Sequence, residues 1–284
     1  MTLAPILDRE EYVEQAYFFR VFRERLKENL AAQDVLTRIH EELLTTTRLP
    51  LAVQFLATEL KHTGVFAQGF ARLPHYFTPF QTLVISKAEH EKLHFSIEMA
   101  LQALEGEAKY RTGEPSRPGL FVYQFEVLSR NRLGYDDGLR AMMQDSFFDD
   151  AWRDYMETVR RNVGEVDFAD LVYVRSEMYA KDQERQGGKE APPPALFGEK
   201  EGKIAKASHG RDPLFLFAAL QRQLGYPVVP RPVRRDDPQA IITAMQVKLR
   251  ELEQRLKLLE SEARGNAADL ARSLGKPELL AGEE

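Results

Sequence analysis

The amino-acid sequence predicts an all-α protein: an N-terminal multi-helix domain, Pro-rich linkers and a C-terminal coiled-coil helix. Three observations predict it. Nearly every patterned segment repeats its apolar residues every three or four positions, the spacing of one helix face. Helix-start signals, a short polar cap followed by Pro or by Gln or Glu, stand before several of these segments. Over residues 242–263 an apolar residue falls at every a and d position of a heptad.

The elements follow in order. Asp8 opens the first helix, with Glu11 as a capping-box partner and Tyr12, Ala16, Phe19, Arg23 and Leu26 along one stripe. A second helix carries Val35, Leu36, Ile39 and Leu43 and stops in Thr45, Thr46 and Thr47. Pro50 opens a third, with Ala52, Phe55, Leu56 and Leu60 on one side and Gly64 at its end. Thr78, Pro79 and Gln81 form a further start signal. The helix it opens is expected to run to about Tyr110, with Leu93, Ile97, Leu101 and Leu104 inward. Residues 119–132 are apolar almost all round, which suits a buried central helix, although the Phe-Val-Tyr run also suits a strand. Ser146 and Asp149 cap the next helix, whose stripe is Phe148, Trp152, Tyr155 and Val159 and whose stop is Gly164. Asp167 opens another, with Leu171, Val174 and Met178 inward.

Domain boundaries follow from Pro and Gly. Residues 1–185 form the helical domain; 186–195, with paired Gly and triple Pro, form a linker; 196–226 form a tethered short helical segment. Residues 227–237 read as extended Pro-rich chain, 238–264 as the coiled-coil helix and 265–284 as a flexible tail. Leu133-Gly134-Tyr135 echoes Leu224-Gly225-Tyr226, which reads as a repeated helix stop with Gly left-handed and Tyr packed back.

The chain has 284 residues, 43% hydrophobic and 29% charged, enough for a sizeable core. Its net charge of −5 gives no global attraction to nucleic acid or acidic membranes, so neither is an expected partner. No cysteine is present, which removes disulfides, thiolate nucleophiles and Cys-based metal sites. The longest apolar run, 214–220, is too short to span a bilayer, and the N-terminus lacks a signal pattern. A cytoplasmic protein is expected.

The C-terminal seam has Ile242, Leu249, Leu256 and Ala263 at a and Met245, Leu252 and Leu259 at d. In a parallel pair Lys248 meets Glu253 and Arg255 meets Glu260, both attractive. The expected function is therefore non-enzymatic: interaction or scaffolding, as a homodimer or with another helical protein, and with no cofactor. A helix with this stripe could also fold back on its own domain, since the repeat covers only about three heptads.

The alternative is a helical metalloprotein holding zinc or iron. His90-Glu91-Lys92-Leu93-His94 matches H-E-x-x-H, which resembles the zincin metalloprotease motif. On a helix, His90 and His94 share a face for zinc, and Glu91 would be the general base. Glu105, Glu107 and Glu114 are the downstream candidates for a third ligand. Glu59-x-x-His62 and Glu91-x-x-His94 together resemble the paired motifs of ferritin-like di-iron proteins, with Glu24, Glu28 or Glu41 to complete the set. Gly198 to Lys203 falls short of a phosphate loop, with three residues between its glycines and Ile204 where Ser or Thr belongs. Residues 200–235 hold eight Lys and Arg against Glu201 and Asp212, an excess read as a solvated segment.

Overall fold

The first helix, α1 (Arg9–Lys27), turns Tyr12, Ala16, Phe18, Phe19 and Phe22 inward, as its stripe requires. The computed structural model describes residues 6–90, 95–187, 192–231, 242, 245, 246 and 248–250. The chain divides into two units, Met1–Pro232 and Val233–Glu284. Among the described residues all regular structure is helical, so the all-α reading holds. No described helix is long and apolar enough to cross a membrane.

The second helix, α2 (Ala32–Ile39), buries Val35, Leu36 and Ile39, and α3 (Leu49–Thr63) begins with Pro50 in its first turn. Gly64 ends α3 with φ +70°, a left-handed conformation that costs glycine little. Then come α4 (Phe66–Ala71), which the sequence does not announce, and α5 (Pro79–Ala88). Thr78 and Gln81 cap α5 reciprocally: Gln81 N donates to Thr78 Oγ1 at 3.2 Å and Thr78 N to Gln81 Oε1 at 3.1 Å. The Asp8 capping box does not form. Glu11 instead accepts from Arg48 N at 2.9 Å and from the Tyr76 hydroxyl at 2.7 Å. One buried carboxylate thus ties α1 to the starts of two later segments.

The long helix expected from Thr78 to Tyr110 is two helices. The first, α5, stops at Ala88, and α6 (Ile97–Thr112) starts anew. Two contacts mark the break, one distant in sequence and one local. Glu89 turns aside to accept from Phe66 N at 2.5 Å and Ala67 N at 2.8 Å, at the start of α4. Ser96 caps α6 by accepting from Met99 N at 3.3 Å, behind a buried Phe95.

Residues 119–132 are helical, within α7 (Arg117–Asn131), and almost every side chain is buried. Next are α8 (Tyr135–Met142), which the sequence pattern does not announce, and α9 (Asp150–Asn162), capped by Asp149 and burying Trp152, Tyr155, Met156 and Val159. Asp167 caps α10 (Phe168–Val174), yet the buried face is Phe168, Ala169 and Val172; Val174 is exposed. The stripe differs because the helix ends at Arg175, and Ser176 caps a separate helix, α11 (Glu177–Arg185). The echoed helix stop holds once. Gly225 is left-handed with φ +69°, but at the first copy the left-handed residue is Arg132, and Gly134 caps α8.

The largest correction concerns 196–226. This segment is not tethered; it belongs to the unit Met1–Pro232. It forms α12 (Glu199–Ser208), packed on α10 and α11, and α13 (Pro213–Leu224), packed on α12 and α7. The reason is aromatic. Phe121 and Phe125 of α7 head a cluster with Trp152, Tyr155 and Phe168, and Phe197 and Phe217 complete it. Phe197 sits 5.3 Å from Trp152 and 5.7 Å from Tyr155, ring centre to ring centre. Backbone bonds hold it there: Leu196 N and Phe197 N both donate to Arg175 O, at 2.7 and 3.0 Å. Nor are residues 227–231 a free linker. They form no regular element, but Val229 is buried and Asn131 Nδ2 donates to Pro230 O at 3.2 Å. Residues 188–191 and 232–237 lie outside the described part of the chain.

Candidate functional site

The residues proposed for metal are only partly described. Glu91 and His94 lie outside the described residues. His90 lies past the C-cap of α5, outside the helix, and is exposed. Glu59 is buried on α3, and both its oxygens accept from Arg72 Nη1, at 2.7 and 2.8 Å. His62 is exposed, as are Glu24, Glu28, Glu41 and Glu114. Glu105 is held by Arg23 at 2.8 Å and by Lys109 at 2.5 Å. Glu107 is buried against Arg111. The described candidates are thus paired with cations or turned to solvent. Among the described residues no group of three His, Asp or Glu stands together as a metal site.

The incomplete phosphate loop is part of a helix crossing. Gly202 lies in α12 where a Cβ would come within 2.7 Å of Met178 Cβ and Ser176 Cβ, so glycine serves close packing. Two lysines of the basic 200–235 segment, and His209 beside them, meet acids: Glu199 within α12, Asp182 on α11 and Asp170 on α10. Lys203 pairs with Glu199 at 2.5 Å, Lys206 with Asp182 at 2.6 Å, and His209 with Asp170 at 2.7 Å. Lys181 also pairs with Glu199, and together these two lysines hold the Glu199 carboxyl down at about 2.

An open cleft of about 490 Å³ is lined by Lys109, Tyr110, Gly113, Ser116, Gln223 and Pro227. Its Tyr110 and Ser116 hydroxyls are engaged with each other. The Tyr110 hydroxyl donates to Leu224 O at 3.2 Å and lies 3.2 Å from Ser116 Oγ. Lys109 is turned to Glu105. No nucleophile is paired with a base there.

Sequence reasoning missed a buried polar cluster between α1, α6 and α7. Arg111 is enclosed with Glu107 and Asp145 and lies against the rings of Tyr12 and Phe147, at 5.6 and 5.8 Å. Burial lifts the Tyr12 hydroxyl above its ordinary range, against the pull of Arg111. The Glu107–Arg111 spacing of four was the available signal. The same spacing marks countless exposed ion pairs, so it says nothing of depth.

The seam residues that are described remain. Ile242, Met245 and Leu249 are helical and 52%, 62% and 57% exposed. Lys248, also helical, is exposed beside them. Leu252, Glu253, Arg255, Leu256, Leu259, Glu260 and Ala263 lie outside the described residues. No family model, curated protein or solved structure matches this chain.

Proposed function

We propose that this chain is a helical interaction protein that assembles through its C-terminal helix, with a second copy as the partner. The observation that carries the reading is the exposure of Ile242, Met245 and Leu249, three consecutive a and d positions, each more than half open to solvent. Large apolar side chains spaced along one helix face lose that contact with water when a like face covers them. The charges favour a parallel register, since Lys248 then faces Glu253 and Arg255 faces Glu260. The setting proposed is the cytoplasm, in keeping with a chain that has no cysteine and relies on no disulfide.

The test is light scattering on the whole chain. The wild type should be a dimer at tens of micromolar, roughly the range in which a weak coiled coil still pairs. Replacing Leu249 and Leu256 together by Asp places charges in the seam and should give a monomer with unchanged helical circular dichroism in the rest of the chain. A wild type that is monomeric at that concentration would defeat the proposal.

A further inference from the structure

The Glu107 carboxylate is used unevenly. Its Oε1 accepts three hydrogen bonds: from Arg111 Nε at 3.1 Å, from Arg111 Nη2 at 2.7 Å and from Gln124 Nε2 at 2.9 Å. Its Oε2 is buried and has no donor. The Gln124 Oε1 atom is also buried without a donor. Both unsatisfied atoms are acceptors, and they belong to two side chains already joined by one hydrogen bond. An acceptor buried without a donor costs on the order of 1–3 kcal/mol, and more if it is charged.

We propose that Glu107 carries a proton on Oε2 at neutral pH, and that this proton closes an acid–amide pair with Gln124. The acid hydroxyl then donates to Gln124 Oε1, while Gln124 Nε2 donates to Glu107 Oε1. One hydrogen satisfies both orphaned acceptors. The charge count agrees. The groups facing Glu107 are Tyr12 from α1, Arg111 from its own helix, Tyr123 and Gln124 from α7, and Asp145 from the turn after α8. Arg111 also donates to Asp145. With Glu107 neutral, one guanidinium faces one carboxylate. With Glu107 ionised, two buried carboxylates share one cation. Burial raises the Glu107 carboxyl above its ordinary value of 4.5, with Arg111 opposing and Asp145 adding to the rise.

The sign of the pH effect follows. A carboxyl whose proton is held more tightly in the folded state stabilises the fold fully below its ordinary value. That contribution is lost as pH rises from 4.5 through the folded value. Alkali should therefore loosen the junction of α1, α6 and α7, a built-in sensitivity to pH.

The experiment is infrared spectroscopy of the full chain at neutral pH, beside thermal unfolding across about pH 5 to pH 9. The wild type should show the carbonyl band of a protonated carboxyl, and Glu107→Gln should lack it. The amide of that variant offers the same donor and acceptor without a titrating proton. It should therefore fold, match or exceed the wild type at neutral pH, and lose the part of the melting shift that follows rising pH. Absence of the band in the wild type, its persistence in Glu107→Gln, or a Glu107→Gln chain that is unfolded or less stable at neutral pH would each overturn the proposal.

Discussion

Glu89 shows how one side chain redirects the backbone. Its two oxygens take the first N–H groups of α4, from Phe66 and Ala67, which a helix start leaves without partners of its own. Glu89→Ala should remove this cap and cost about 1 kcal/mol, seen as a lower midpoint by circular dichroism. An unchanged midpoint would mean that water replaces the carboxylate without loss. Gly202→Ala should cost more, roughly 1–3 kcal/mol, because the new methyl meets Ser176 and Met178 at the crossing of α12 and α11. A neutral result would show that these helices part easily. Glu199 provides an acid-side test. Its carboxyl is lowered from 4.5 to about 2, first by the Lys181 hydrogen bond and then by that of Lys203. The stability it adds is complete above 4.5 and disappears as pH falls toward 2. The melting curves of wild type and Glu199→Gln should therefore differ near neutrality and converge in acid; a gap that persists in acid would point to packing instead. Of these three roles only the Glu199–Lys203 pair, four residues apart, is written in the local sequence. Glu89 reads as one more polar residue in an apparently continuous helix, and its partner α4 is too short to show periodicity.

At the scale of elements, most helices were legible and their partners were not. The Thr78 cap, the stripes of α1, α2 and α9, and the apolar sweep of α7 depend on neighbours within a turn or two, so sequence reports them directly. Helix breaks depend on distant groups, and the Thr78 segment breaks where Glu89 reaches Phe66 and Ala67. The Pro-rich run before Ala195 misled in another way. It does prevent a helix, but it does not prevent packing: Arg175 Nε donates to Pro194 O at 3.0 Å, and Phe197 follows directly into the core. A fragment ending at residue 185 would lack Phe197, Leu216, Phe217 and Leu220, all buried. Such a fragment should aggregate or lose its cooperative melt, whereas one ending at residue 232 should keep both helicity and a single sharp transition. Equal behaviour of the two fragments would mean that α12 and α13 merely decorate a complete core.

The whole molecule divides into a helical unit, Met1–Pro232, and a second unit, Val233–Glu284, whose pairing through residues 242–263 is the proposal. The proposed seam is a purely local pattern, read without knowing the rest of the fold, and of its residues Ile242, Met245 and Leu249 are described. The Glu107 cluster is not legible in that way, because its meaning lies in burial among α1, α6, α7 and the turn after α8, which residue spacing does not report. The metal reading can be tested at this scale by melting the whole chain with and without zinc or ferrous iron. A metal bound only by the native state must raise the midpoint. The wild type should show no rise, and a rise that His94→Ala abolishes would establish a site there. The most direct measurement of the central claim exploits the absence of cysteine. Leu249→Cys places the only thiol of the chain at an a position, which in a parallel, in-register pair faces its own copy. Mild oxidation at tens of micromolar, roughly the range in which such a pair should persist, should convert Leu249→Cys largely into a disulfide-linked dimer. Arg250→Cys, one position off the seam, should remain mostly monomeric. Cross-linking that is absent at Leu249, or no greater there than at Arg250, would contradict the account.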